Sequence, residues 1–162
     1  MLELYCFRSN KKIELHGISM AKTKKLLQNK LDLIPLYYQL GKAEDDPLKL
    51  VILANTFLEL LINILVEEKI KNKSKVIDNN EYTYAVKLLV LNEKNIINDR
   101  LYKSIEKLRK IRNRAAHEPN FNLGVDDYKE LPVRKNMYNI CLTVIGTLWN
   151  SYKDLFAKYF NI

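Results

Sequence analysis

Between Asp45 and Lys69 the chain carries the segment that most limits its architecture. Asp45-Asp46-Pro47 is a helix start. A carboxylate there can accept hydrogen bonds from the first free N–H groups, and the following proline has the φ that the first helical position needs. From Pro47 to about Lys69 the residues are apolar round most of a helical circumference. The polar ones, Lys49, Asn55, Thr56, Glu59 and Asn63, fall in one stripe about 120° wide at 100° per residue. A helix apolar over the remaining two-thirds is the centre of a bundle, or is shared between a core and a subunit interface. Pro47–Val66 also has the length of a membrane span. Lys49, Asn55, Glu59 and Asn63 interrupt it, so a buried core helix is the better account.

The rest of the chain supplies partners for that helix. Only four glycines and four prolines occur in 162 residues, which points to helices joined by short connections and to an all-α fold. A first helix is expected from Ser19, carrying Leu26, Leu27, Leu31 and Ile34 inward, bent or restarted at Pro35 and closed by Gly41. A shorter helix is expected over Tyr82–Leu91, and another from a cap at Asn98 or Asp99 to Glu118-Pro119. After a loop over Asn120–Gly124, a last helix is expected over roughly Pro132–Phe160, with Val133, Met137, Ile140, Val144, Leu148, Tyr152, Leu155 and Tyr159 on one face. The result is an up-and-down bundle of four to five helices spanning residues 19–162. Residues 1–18 differ: Leu2, Leu4 and Cys6 alternate with Glu3 and Tyr5, and Ile13 and Leu15 flank Glu14. That pattern suits a β-hairpin turning at Ser9-Asn10-Lys11. Alternatively the chain opens at Met20, and the residues before it are a poorly ordered arm.

The net charge of +8 favours an anionic partner such as nucleic acid or a membrane surface, although a lysine-rich surface also serves solubility. The two cysteines, Cys6 and Cys141, are far apart and lack metal-ligand spacing. With no signal-peptide pattern at the start, free thiols in the cytoplasm are the simplest expectation. The basic run Lys69–Lys75 is a solvated connection.

The helix ending at Pro119 carries the chemistry. Leu101, Ile105 and Leu108 share a face, and Arg112, four residues on, falls within about 30° of its centre. Arg100, Lys103, Lys107, Lys110 and Arg114 form a basic stripe on nearly the opposite side. Arg112 is therefore expected in line with the core, where it lines a cleft, is tied to a carboxylate such as Glu59, or snorkels to the surface. Its planar fork suits a phosphate. His117 is one of only two histidines, and histidine is the side chain best matched to proton transfer near neutrality. It stands about 140° round the helix from Arg112. The two can meet one phosphate only if the helix loosens at Ala116-His117, which Pro119 encourages, or if a symmetric dimer brings a second copy alongside. Otherwise His117 caps the negative helix end.

Arg112-Asn113 followed by His117, late in a helix of a small all-α bundle, resembles the Arg-x(4–6)-His motif of the HEPN superfamily. Asn113 stands where that family places a polar residue directly after the arginine. Ala115-Ala116-His117, after Leu108 and Ile111, is similar to many bacterial members. The likeness covers the architecture over roughly Pro47–Phe160 and is sharp over Leu108–Pro119. It implies an endoribonuclease that works without a metal or other cofactor, as a homodimer with the two motifs facing each other, in a toxin or phage-defence setting with a cognate antitoxin as a further partner. Arg112 would polarise the scissile phosphate of RNA, and His117 would take the 2′-hydroxyl proton or protonate the leaving oxygen. Asn113 would hold the geometry, and the product would carry a 2′,3′-cyclic phosphate. Lys103, Lys107, Arg109, Lys110 and Arg114 would track the RNA backbone. One toxin subfamily carries a tyrosine two residues after the histidine as the target of its antitoxin. Pro119 occupies that position here, so that regulation is not implied.

The same helix order, with Ile111-Arg112-Asn113 and Ala116-His117, is also similar to the mannitol-operon repressor family, which implies a non-catalytic dimeric regulator or interaction module. Other chemistries find little support. Ser104 and Ser151 have no local histidine, the glycines form no phosphate loop, and neither a helix-turn-helix nor a stacking-aromatic pattern stands out.

Overall fold

The computed structural model describes residues 3–6, 11–14, 31–32, 34–71, 83–132 and 136–161. Their elements run in the order β1 (Glu3–Cys6), β2 (Lys11–Glu14), β3 (Leu31–Asp32), α1 (Ile34–Lys42), α2 (Pro47–Lys69), α3 (Tyr84–Glu93), α4 (Asp99–His117), a 3-10 turn over Val125–Tyr128, α5 (Met137–Ser151), α6 (Lys153–Phe156) and β4 (Phe160–Asn161). The fold is an all-α bundle with two small two-stranded sheets.

Helix α2 is its axis. Asp46 caps it by accepting from the Lys49 N–H at 3.0 Å, with Pro47 in the first turn. Helices α1, α3, α4 and α5 all pack on it, α4 and α5 most extensively. Of the stretch apolar enough to cross a membrane, 78 % is buried inside the protein, so its hydrophobicity is spent on the bundle core. Asparagines start the two main neighbours by the same device. Asn98 accepts from Leu101 N–H, and Asn136 from Asn139 N–H, each at 2.9 Å. Side chains from these helices, among them Leu58, Leu61, Leu88, Ile105, Ile140 and Leu148, form one continuous core.

At the amino-terminal end, β1 and β2 pair antiparallel, with Glu3 opposite Glu14 and Cys6 opposite Lys11. The turn expected at Ser9-Asn10-Lys11 lies outside the described residues apart from Lys11, which already belongs to β2. The expected first helix needs correction where it can be seen; residues 15–30 lie outside the described ones. Leu31 is in strand β3, parallel to β4 and opposite Phe160, and Ile34 is 81 % exposed. Helix α1 begins only at Ile34, with Pro35 in its first turn, and turns Leu36 and Leu40 inward.

The last helix is also shorter than expected. It starts at Met137 and stops at Tyr152, whose backbone (φ −136, ψ 32) leaves the helical region. Tertiary contacts explain the break. The Tyr152 hydroxyl donates to the Ile96 carbonyl. Beyond it, Phe156 stacks on Trp149 at 5.3 Å between centroids, and Phe160 meets Trp149 at 5.2 Å and Phe57 at 5.9 Å. In an unbroken helix, residues 149 and 160 would be about 16 Å apart along the axis. Burying both aromatics on one core therefore requires the chain to fold back.

Candidate functional site

The buried residues of α4 are Leu101, Ser104, Ile105, Leu108, Ile111 and Ala115. Early in the helix this is the expected face. Past Leu108 the seam shifts to Ile111 and Ala115, about 100° and 60° round the helix from Arg112. The shift follows the point where α2 crosses α4, marked by Asn55 Nδ2, which donates to the Leu108 carbonyl and to its own Val51 carbonyl, each at 3.0 Å. Arg112 is accordingly exposed, not core-facing as the helical wheel implied. Its Nη1 reaches Asn113 Oδ1 at 3.3 Å, and no carboxylate among the described residues forms an ion pair with it.

The neighbouring arginines are committed. Arg109 makes two hydrogen bonds of 2.8 Å to Glu106, which hold that carboxyl below its ordinary range. Arg114, expected on the open basic stripe, reaches the Asp127 carboxylate at 2.5 Å and Glu118 at 3.2 Å, and lies over the Phe121 ring. Asp127 is buried and also accepts from the Gly124 N–H at 2.8 Å, so Arg114 pins the loop after α4 to the helix. The sequence reading missed Asp127; its only signal was a carboxylate three residues after Gly124, the spacing of a capped turn. Arg100, Lys103 and Lys110 are exposed and Lys107 is half-buried, so the lysines of the expected stripe do reach solvent.

His117 is exposed as the last residue of α4. The helix does not loosen before it. Glu118 N–H still donates to the Arg114 carbonyl at 2.8 Å, and the chain turns extended only at Glu118 (φ −97, ψ 114), directly before Pro119. The proline effect falls one residue later than convergence within one chain would need. Arg112 and His117 thus point about 140° apart on a continuous helix.

A second group of polar residues lies in the seam of α2, α3 and α4. On α2, Asn55, Glu59 and Asn63 follow at four-residue spacing on one ridge. Asn55 bonds to α4, while Asn63 accepts from Lys87 Nζ of α3 at 3.0 Å. Lys87 is only 8 % exposed. Burial lowers its pKa, and Glu59 opposes that shift. Burial raises Glu59 above the ordinary carboxylate range, offset first by Lys87 and then by Arg112. Tyr84, one turn before Lys87, buries its hydroxyl with no hydrogen-bond partner among the described residues and is pushed well up by burial and by the Glu59 charge. The expected Glu59–Arg112 ion pair is not formed; Arg112 lowers the Glu59 pKa only at longer range, and Lys87 does so more strongly. Lys87 escaped the sequence reading, although it is the sole charge within the apolar run Tyr84–Leu91. Among the described residues no three His, Cys, Asp or Glu side chains converge as a metal site.

No family model, curated protein or solved structure matches the chain.

Proposed function

We propose that the chain is a HEPN-type endoribonuclease that acts as a homodimer, with Arg112 and His117 as its catalytic residues. The observation that carries this reading is selective availability. Arg109 and Arg114 are held by carboxylates, whereas among the described residues Arg112 pairs with no carboxylate, and His117 stands exposed at the helix end. In the reaction, His117 removes the proton of the attacking ribose 2′-hydroxyl and, as the imidazolium, gives a proton to the departing 5′-oxygen. The 2′-oxygen attacks phosphorus, the bond to the 5′-oxygen breaks, and a 2′,3′-cyclic phosphate forms. Arg112 stabilises the charge that builds on the phosphoryl oxygens, and Asn113 steadies its fork. Exposed Lys103 and Lys110 contribute salt-dependent attraction for the RNA backbone. A toxin or phage-defence role with a cognate antitoxin fits such an activity.

Because the two side chains diverge on one helix, the working centre pairs Arg112 of one subunit with His117 of the other. Cleavage of tRNA and other RNAs in EDTA, followed on gels, tests the activity. His117→Ala and Arg112→Ala should each abolish it. Mixing the two inactive variants should restore cleavage, since a mixed dimer rebuilds one complete centre. Failure of wild-type protein to cut any RNA overturns the nuclease and leaves the non-catalytic dimeric regulator. Cleavage without rescue in the mixture overturns the composite centre.

A further inference from the structure

Near the end of α4 all three nitrogens of one guanidinium are engaged. Arg114 Nε and Nη2 donate to the two oxygens of Glu118 at 3.2 and 3.4 Å, and Nη1 donates to Asp127 Oδ1 at 2.5 Å. The same group lies over the Phe121 ring, 5.7 Å from its centroid. Each of these partners follows His117 in the chain, and Glu118 is its direct neighbour. The backbone repeats the tie. Glu118 N–H donates to the Arg114 carbonyl at 2.8 Å, and Phe121 N–H donates to the Glu118 carbonyl at 3.2 Å. A fork so occupied has little to offer a phosphate, which would have to displace two carboxylates. Glu118 also needs the cation, because a carboxylate at the negative end of a helix is otherwise unfavourable.

We infer that Arg114 is a positioning residue for His117: by gripping Glu118, Phe121 and Asp127 together, it keeps the last turn of α4 wound and the imidazole fixed in direction. The inference rests on the proposed catalytic role of His117 and adds to that site a residue that does not itself hold RNA. His117 is the last residue of α4, where helices ordinarily fray. In a centre completed by a second copy, its imidazole must meet a phosphate held by the other subunit's arginine. A displacement of about 1 Å there costs on the order of 100-fold in rate. The far end of the clamp supplies stiffness, because the Asp127 side chain is 6 % exposed and also accepts from the Gly124 N–H at 2.8 Å. Arg114 is thus braced on a buried carboxylate while it holds the exposed carboxylate beside His117. Lysine could not replace it, since a single ammonium lacks the planar fork that reaches both carboxylates at once.

The test uses the full-length chain and both sides of the clamp. Arg114→Gln removes fork and charge, and Arg114→Lys removes the fork alone. Asp127→Asn weakens the brace and covers the case in which an Arg114 variant fails to fold. Nitrogen-15 NMR relaxation should show added picosecond-to-nanosecond motion at the His117 and Glu118 amides in all three, with the first turns of α4 as in wild type. In cleavage assays kcat should fall about 10- to 100-fold in Arg114→Gln with KM little changed, and Arg114→Lys should not restore it. Asp127→Asn removes a negative charge, so RNA should bind no more weakly, yet kcat should fall. Combined with Arg114→Gln it should add little, because the two act as one unit. A phosphate-binding arginine would behave differently: Arg114→Lys would match wild type, and Arg114→Gln would raise KM and flatten the salt dependence. That result overturns the inference. So does unchanged relaxation at His117, or a fall in kcat that only follows the folded fraction seen by circular dichroism. If wild-type protein cuts no RNA while the His117 amide gains motion as described, the nuclease reading falls and the clamp on His117 stands.

Discussion

Asp127→Ala tests which part of the Arg112–His117 region holds the fold together. The Asp127 side chain is 6 % exposed and accepts two hydrogen bonds, from the Gly124 N–H at 2.8 Å and from Arg114 at 2.5 Å. A net hydrogen bond contributes about 1 kcal/mol, and one to a charged group about 1.5–3 kcal/mol. The lower end applies to this carboxylate, because the Arg114 side chain is 42 % exposed and solvent screens the pair. Removing the carboxylate also ends its own desolvation penalty, which leaves a loss of about 2 kcal/mol for Asp127→Ala. In a domain of this size that lowers Tm by about 4–8 °C. Asp127→Asn, which keeps an acceptor for Gly124, should lose about half as much. Arg112→Ala should change stability little, since its guanidinium is exposed and, among the described residues, hydrogen-bonds only to the neighbouring Asn113. Urea unfolding followed by circular dichroism gives all three values. If Arg112→Ala is the most destabilising of them and Asp127→Ala matches wild type, the assignment of the structural carboxylate partner to Arg114 rather than Arg112 is wrong.

Two further outcomes follow from groups away from that loop. The hydrogen bond from Arg109 holds the Glu106 carboxyl below its ordinary value. The pair's contribution, about 0.5 kcal/mol for a partly buried helical pair, is therefore present above the ordinary carboxylate range and lost as pH falls through the lowered value. Glu106→Gln should thus be less stable than wild type near neutrality and equal to it in strong acid; a constant difference at both would rule out the ion pair as its source. Burial pushes the Cys141 thiol up to about 12. In a Cys6→Ser background Cys141 should resist thiol reagents until the protein unfolds, and rapid labelling of native protein would contradict the core placement.

Much of the architecture was legible because it rests on local chemistry. Asp46-Pro47, Asn98 and Asn136 start helices wherever the chain goes next, since a capping side chain bonds N–H groups only two or three residues away. The apolar girth of α2 required neighbours on several sides, and it has them. The end of α4 at Pro119 was equally local. Residue type and spacing also lie in the chain itself, and on those grounds Arg112, Asn113 and His117 are singled out as candidates.

Other features depended on what stands opposite. Tyr152 looks helical until its hydroxyl finds the Ile96 carbonyl and the aromatic core draws Phe160 back to Trp149. Leu31 looks like a core helix position until it pairs with Phe160. A helical wheel assumes that one face stays inward along the whole helix. On α4 the crossing of α2 at Leu108 turns the seam toward Ala115, frees Arg112 and leaves Arg114 to bind Asp127. Lys87 likewise carries no local sign of its partner, because Asn63, to which it donates, stands on another helix. Caps, breakers and periodicity act over a turn or two and can be found along the chain. Which cation is buried, and beside which carboxylate, is decided by how the helices cross.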